Sequence, residues 1–317
     1  MLTRPVKTQA TALVVHRYQF NCKTQTRLKL NSYSGSMLRG AFGHALRQSV
    51  CVTKMDDCSG CLLYRQCVYT QIFETPVPKD TGLQHFSAIP KPFIIEPSLM
   101  GKMTLEAGAL FTFDFVLIGT DANRVLGIMI DAWKIALKRG LGADYSRLTL
   151  NSVDYKPEYN APQRVYDHDT LTTEIDYQTY TADIKPIDSI TLEFNSPLQI
   201  KKHGRVLSND MTAKDFLMAL IRRYYLLHEF YGTDYHAPNF SDLAMQATNI
   251  ECQTDFTEFE WQRYSSRQKQ SMQFRGVLGS ITLSGTALSY FLPMLIISRN
   301  LHVGNKTTFG MGHYKII

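Results

Sequence analysis

Residues 301–314 read Leu301-His302-Val303-Gly304-Asn305-Lys306-Thr307-Thr308-Phe309-Gly310-Met311-Gly312-His313-Tyr314. Glycine tolerates positive φ and carries no Cβ, so Gly304, Gly310 and Gly312 let a loop press its backbone N–H groups against a phosphate. Lys306 adds a point charge, and Thr307 and Thr308 add hydroxyl donors. That is the chemistry of a loop that holds a polyanion. The order Gly-x-x-x-x-Gly-Lys-Ser/Thr of nucleotide-triphosphate loops is absent. The competing reading is a tight glycine turn between a helix and a closing strand.

A second group carries sulfur. Cys51-x6-Cys58-x2-Cys61-x5-Cys67 places four thiols, including a Cys-x-x-Cys knuckle, within a short insertion at about 51–67. Four thiolates suit one tetrahedral structural Zn2+. An iron–sulfur cluster and plain reduced cysteines are the other readings. A closed four-thiolate shell leaves no open coordination position, so no catalytic metal is expected. Cys22 and Cys252 lack partner spacing and read as inert thiols.

A third group lies on a helix predicted from Ser34 to about Val50. Leu38, Ala41, Phe42, Ala45 and Leu46 follow the helical period. The other face carries Ser36, Gly40, His44 and Arg47, with Arg39 and Gly43 at its edge. Each helical glycine costs about 1 kcal/mol relative to alanine, which calls for close approach by a packed element or an RNA backbone. Histidine titrates near neutrality and suits proton transfer; a packed structural histidine is the alternative for His44. Arg39 and Arg47 have the fork geometry for phosphates. Arg263, Arg267 and Lys269 form a basic turn between two long strands; a solvated hairpin tip is its bland reading. No paired carboxylates of the two-metal nuclease type stand out.

The elements that must position these groups recur. Strands are predicted at Ala12–Phe20, Gly108–Gly119 and Ser146–Tyr155, with a second helix capped by Asn123 and ended by Gly140. Residues 161–186 are polar and proline-bearing and read as a linker, with a short strand near Thr170–Tyr177. The order then repeats: strand Ser189–Ile200, a helix from Thr212, strands Asn249–Tyr264 and Met272–Leu283, a helix Leu288–Ser298 kinked at Pro293, and a final strand. Each half spells βαββαβ. The expected fold is α+β, with two tandem ferredoxin-like, RNA-recognition-like domains at 1–160 and 187–317. The first carries the four-cysteine insertion and the second the glycine loop 304–312.

Composition agrees. The chain has 317 residues, 44% hydrophobic content and a formal charge of +6, with pI near 8.9. A mild basic excess suits nucleic acid as a partner. No run approaches the ~18–20 apolar residues of a membrane span, and the first residues lack a signal-peptide core. A cytoplasmic protein with no membrane partner is expected.

Several motifs together resemble a known family. They are Leu38-Arg39-Gly40-Ala41-Phe42-Gly43, the four cysteines followed by Tyr69 and Phe73-Glu74, Arg263-Tyr264-Ser265-Ser266-Arg267-Gln268, Gly276-Val277-Leu278-Gly279, and Leu301-His302-Val303-Gly304 with Phe309-Gly310-Met311-Gly312. The chain resembles the CRISPR repeat-processing endoribonucleases of the RAMP superfamily, in their cysteine-containing subgroup. The resemblance implies two ferredoxin-like domains, a glycine-rich loop that binds RNA, and repeat RNA as substrate. It further implies metal-independent cleavage of precursor CRISPR RNA to a 5′-hydroxyl and a 2′,3′-cyclic phosphate. Such chemistry needs a base for the 2′-hydroxyl, a stabiliser for the phosphorane and an acid for the leaving oxygen. His44 matches the family's frequent first-helix histidine, with Tyr33 just upstream and His302 as the rival proton carrier. Lys306, with a lysine's ordinary pKa of about 10.4, suits phosphate binding better than proton abstraction. The alternative function is a non-catalytic RAMP subunit holding guide RNA in an effector complex.

Overall fold

Buried and open residues alternate along β1 (Val15–Thr24), sending Tyr18, Phe20 and Cys22 to one side of the sheet. The computed structural model that shows this describes residues 13–77, 89–98, 100–172, 175–177, 187–233, 236–265 and 270–317, with backbone alone at 263–265 and 270–272. After β1 come α1 (Gly35–Val50), β2 (Phe93–Pro97), β3 (Leu110–Ile118), α2 (Leu126–Arg139) and β4 (Leu148–Tyr155). The sheet order β2-β3-β1-β4, antiparallel throughout, is the ferredoxin-like arrangement. Both helices cover one face. Phe42 of α1 stacks on Trp133 of α2 at 5.1 Å, and Phe113 of β3 meets the same indole at 4.4 Å. Such aromatic pairs add to the area they bury.

The second half repeats the pattern with β7 (Ser189–Leu198), α3 (Ala213–Tyr231), β8 (Glu251–Ser265), β9 (Gln270–Ser284), α4 (Leu292–Ser298) and β10 (Tyr314–Ile316), in sheet order β8-β9-β7-β10. The protein is α+β with two ferredoxin-like units. α3 begins with a complete capping box, in which Thr212 and Asp215 satisfy each other's backbone N–H groups.

Three expectations need correction. Residues 163–171, inside the expected linker 161–186, form strands β5 (Gln163–Asp167) and β6 (Thr170–Leu171), which extend the first sheet beyond β4. Val165 and Tyr166 are buried in the first core, so apolar burial overrides the polar surroundings. Asn123 does not cap α2; it lies in a separate short helix, Thr120–Arg124, and its amide donates to the Gly119 carbonyl at 2.8 Å. Pro293 does not kink a long helix. It sits in the first turn of α4, where a missing N–H costs nothing, after a 3-10 turn at Thr286–Tyr290.

The two units meet through two apolar clusters. Val15, Ile94, Val116 and Ile118, on the helix-free face of the first sheet, pack against Leu227 of α3 and Leu301. Tyr33, Trp261, Phe274, Phe309 and Met311 form the other, which seats the glycine loop beside the start of α1.

Candidate active site

The start of α1 sits against the glycine loop. Tyr33 Oη donates to the Phe309 carbonyl at 2.8 Å, and a Cβ on Gly35 would collide with that same carbonyl oxygen. Gly35 is therefore a packing requirement. So is Gly43, whose Cβ would meet the Phe73 ring, whereas Gly40 faces open space. One turn beyond Gly40, His44 is exposed to solvent. Partial burial, then Arg139 at the end of α2 and Arg47 on α1, lower its pKa below the usual 6.5. A cationic neighbourhood disfavours the imidazolium, so the ring is held in the form that accepts a proton.

Arg39 and Lys306 lie over aromatic rings at this junction. The Arg39 guanidinium is 4.2 Å from the Phe73 centroid and 5.2 Å from that of Phe309; Lys306 Nζ is 4.3 Å from the Phe274 centroid. Such cation–π contacts orient the side chains without neutralising them. Arg47 is committed differently. Its guanidinium donates to the carbonyls of Met55 and Asp56, the latter at 2.9 Å, tying α1 to the cysteine segment.

Tyr33 and His302 are not solvent-facing. Tyr33 is 2% exposed, and burial raises its pKa well above the ordinary phenol value. His302 is wholly buried, its Nδ1 3.0 Å from the Met311 carbonyl and its Nε2 2.7 Å from Glu96 Oε1. Arg17 donates to the same carboxylate oxygen at 2.8 Å. These neighbours give both residues structural partners inside the protein. Only His44, of the three candidate proton carriers, meets solvent.

The glycine loop spends several of its backbone donors internally. Gly310 N–H donates to Thr307 O at 2.8 Å, Gly312 N–H to Pro197 O at 3.0 Å, and Asn305 N–H to Gln199 O at 2.8 Å. Gly310 and Gly312 have positive φ, and Cβ atoms there would strike the Ile95 and Val303 carbonyls; Gly304 would strike that of Gln199. These glycines permit close backbone packing within and between the domains, rather than an outward nest of N–H groups. Thr307 is buried as well, while Asn305 is exposed and Lys306 is half-buried. Of the basic turn, Arg267 and Lys269 lie outside the described residues, and only the backbone of Arg263 is described, paired with Met272.

Cys51, Cys58, Cys61 and Cys67 line one cavity of about 310 Å3 together with Arg47 and Tyr69. Four thiols are the donor type that structural zinc centres use. No three of the sulfurs come within 4.8 Å of one another, wider than the roughly 3.8 Å that tetrahedral Zn–S bonds of about 2.3 Å would give.

Arg139 did not stand out in the sequence: the Lys138-Arg139 pair marks only the end of α2, and its proximity to His44 depends on how α2 packs on α1. Nor did Glu96, which sits in a proline-rich stretch with no pattern pointing to it.

Comparison with known proteins accounts for most of the chain. The AF_1859_N family model, an N-terminal domain, matches residues 13–178, and the family model of the CRISPR-associated endoribonuclease Cas6 matches residues 192–314. No curated protein matches. Among solved structures, the Cas6 (TTHB231) product complex aligns with 14% identity over 97% of this chain and 100% of that one, with a TM-score of 0.58. Thermus thermophilus Cas6 (TTHB231) aligns with 12% identity over 96% and 99%, at 0.52. A partial Cas6-RT-Cas1--Cas2 complex aligns with 14% identity at 0.58, the match covering 97% of this chain but 46% of that longer one. At these identities the structural matches establish the fold, and the family models add the lineage. Residues 13–178 belong to the AF_1859_N N-terminal domain family, and residues 192–314 form a domain of the CRISPR-associated endoribonuclease Cas6 family.

Proposed function

We propose that this chain cuts precursor CRISPR RNA within its repeats by attack of the 2′-hydroxyl on the adjacent phosphate, leaving a 2′,3′-cyclic phosphate and a 5′-hydroxyl. The O2′–P bond forms as the P–O5′ bond breaks, so the reaction needs a proton acceptor, a charge stabiliser and a proton donor, and no redox partner. His44 is the proton carrier. Its solvent-facing imidazole, with a lowered pKa, is the one observation on which the assignment rests. A neutral imidazole takes the 2′-hydroxyl proton, and the same ring, once protonated, is competent to return it to the leaving oxygen. Arg139 and Arg47, the two cations acting on His44, supply positive charge toward the phosphorane. Arg39 and Lys306 hold neighbouring phosphates, with Arg263, Arg267 and Lys269 as further RNA contacts.

Cys51, Cys58, Cys61 and Cys67 would hold a structural Zn2+, which would stabilise the insertion and take no part in the chemistry. Through Arg47, which donates to carbonyls in that insertion, it would also steady the C-terminal half of α1. The partner is repeat RNA in the cytoplasm, recognised chiefly through backbone and shape. The domains run from 1 to 160 and from 187 to 317, with β5 and β6 appended to the first.

The test is cleavage of labelled repeat RNA in EDTA, with His44→Ala alongside. Site-specific cutting that survives chelation and is lost in His44→Ala supports the assignment. Tight binding with no cutting by the unaltered protein, across several repeat sequences, would instead identify a guide-holding subunit.

A further inference from the structure

We propose that Glu96, His302 and His313 bind one borderline divalent ion, of the Zn2+, Co2+ or Ni2+ kind, that clamps the two domains together. Among the described residues this is the one group of three metal-ligating side chains whose ligand atoms all lie within 4.8 Å of one another. Glu96 belongs to β2 of the first domain, and the two histidines flank the glycine loop of the second. Phe93 and Ile95 enter the core beneath α1, so Glu96 projects from the opposite face of that sheet, away from His44.

Three observations carry the assignment. His302 Nδ1 is turned toward the Met311 carbonyl at 3.0 Å, which leaves Nε2 as the ligand atom facing Glu96. Metal-binding imidazoles are commonly oriented in this way, with the second nitrogen held by a backbone carbonyl. The His313 ring stacks on His302 with centroids 4.9 Å apart, and among the described residues neither of its nitrogens has a hydrogen-bond partner. Finally, Glu96 and His313 line a cavity of about 240 Å3 with Asp114, Asn195, Ser196 and Lys315, which provides an entry path and room for water at a remaining coordination position.

Two imidazoles and one carboxylate favour a borderline ion over Mg2+ or Ca2+, which prefer all-oxygen shells. Arg17, bonded to the same Glu96 oxygen as His302, opposes a second cation. Affinity is therefore expected to fall below that of a four-thiolate centre, which separates the two kinds of site in one titration.

The experiment uses the full chain, stripped with a chelator and titrated with Co2+ under visible absorption, with thermal melts in Zn2+ alongside. Unaltered protein should show, beside any thiolate-bound Co2+, a further equivalent with weak ligand-field bands and no sulfur-to-cobalt charge transfer. A variant with serine at positions 51, 58, 61 and 67 should keep that equivalent and melt at higher temperature in Zn2+. Glu96→Gln and His313→Asn should each remove the equivalent while retaining the folded circular dichroism of the parent. If the four-serine variant does not fold, the unaltered protein still decides, because thiolate and nitrogen–oxygen centres differ in spectrum. Absence of any sulfur-free Co2+ signal in the unaltered protein, or its persistence in both single variants, overturns the proposal.

Discussion

The outer face of α1 and the seam between the domains both carry histidine, and they use it in opposite ways. His44 stands in solvent beside Arg47 and Arg139, where neighbouring positive charge keeps the ring ready to accept a proton. His302 is buried, with Glu96 and the Met311 carbonyl at its two nitrogens. An imidazole that reaches substrate can turn over. One whose nitrogens are both engaged inside the protein holds parts together. Residue type alone does not separate a catalyst from a clamp; access and partners do.

The largest effect expected from breaking this contrast is on cleavage. His44→Ala should lower the single-turnover rate by about 10²–10⁴ while leaving repeat-RNA affinity and melting temperature near those of the parent. At the seam the pattern inverts. Glu96→Gln leaves Arg17 and His302 without their shared carboxylate, and urea denaturation should show a loss of about 3 kcal/mol, with the folded fraction still cutting.

The pH dependence sharpens the same comparison. If His44 is the base, kcat/KM should rise with pH and level off with an apparent pKa below 6.5, and Arg139→Gln should move that limb to higher pH. Stability has a separate acid dependence. Burial lowers His16 and His228 to about 4 and His313 to about 3. Between those values and the unfolded value of about 6.5, the unfolded chain binds protons that the native chain does not, so stability falls as pH drops through that window. Melts from pH 7 to 4 check this. The smallest effect is expected from Tyr33→Phe. It removes the hydrogen bond to the Phe309 carbonyl and should cost about 1 kcal/mol, with cleavage unchanged; a large loss of rate would return Tyr33 to the chemistry.

Much of the fold was legible because burial alternates locally. Tyr18 and Phe20 mark a strand, and Phe42, Ala45 and Leu46 mark a helix, through side-chain spacing alone. The repeated βαββαβ order follows from such signals, and so does His44 on the polar face of α1. β5 was missed because two buried residues, Val165 and Tyr166, are too short a signal amid polar text. The loop glycines were recognisable as positions of positive φ or close approach. What approaches them was not, since the Ile95 and Gln199 carbonyls come from distant parts of the chain.

By itself, then, the amino-acid sequence determined the class of fold, its duplication, the lineage and a histidine on the first helix, because periodicity and motif spacing are local properties. Tertiary structure alone decided that His44 meets solvent beside Arg139, that Tyr33 and His302 do not, and that Glu96 reaches His302 from 206 residues away. Those outcomes depend on how two sheets and their helices pack. Burial and charge neighbourhood, which set what an ionisable group does, arise only when remote segments are brought together.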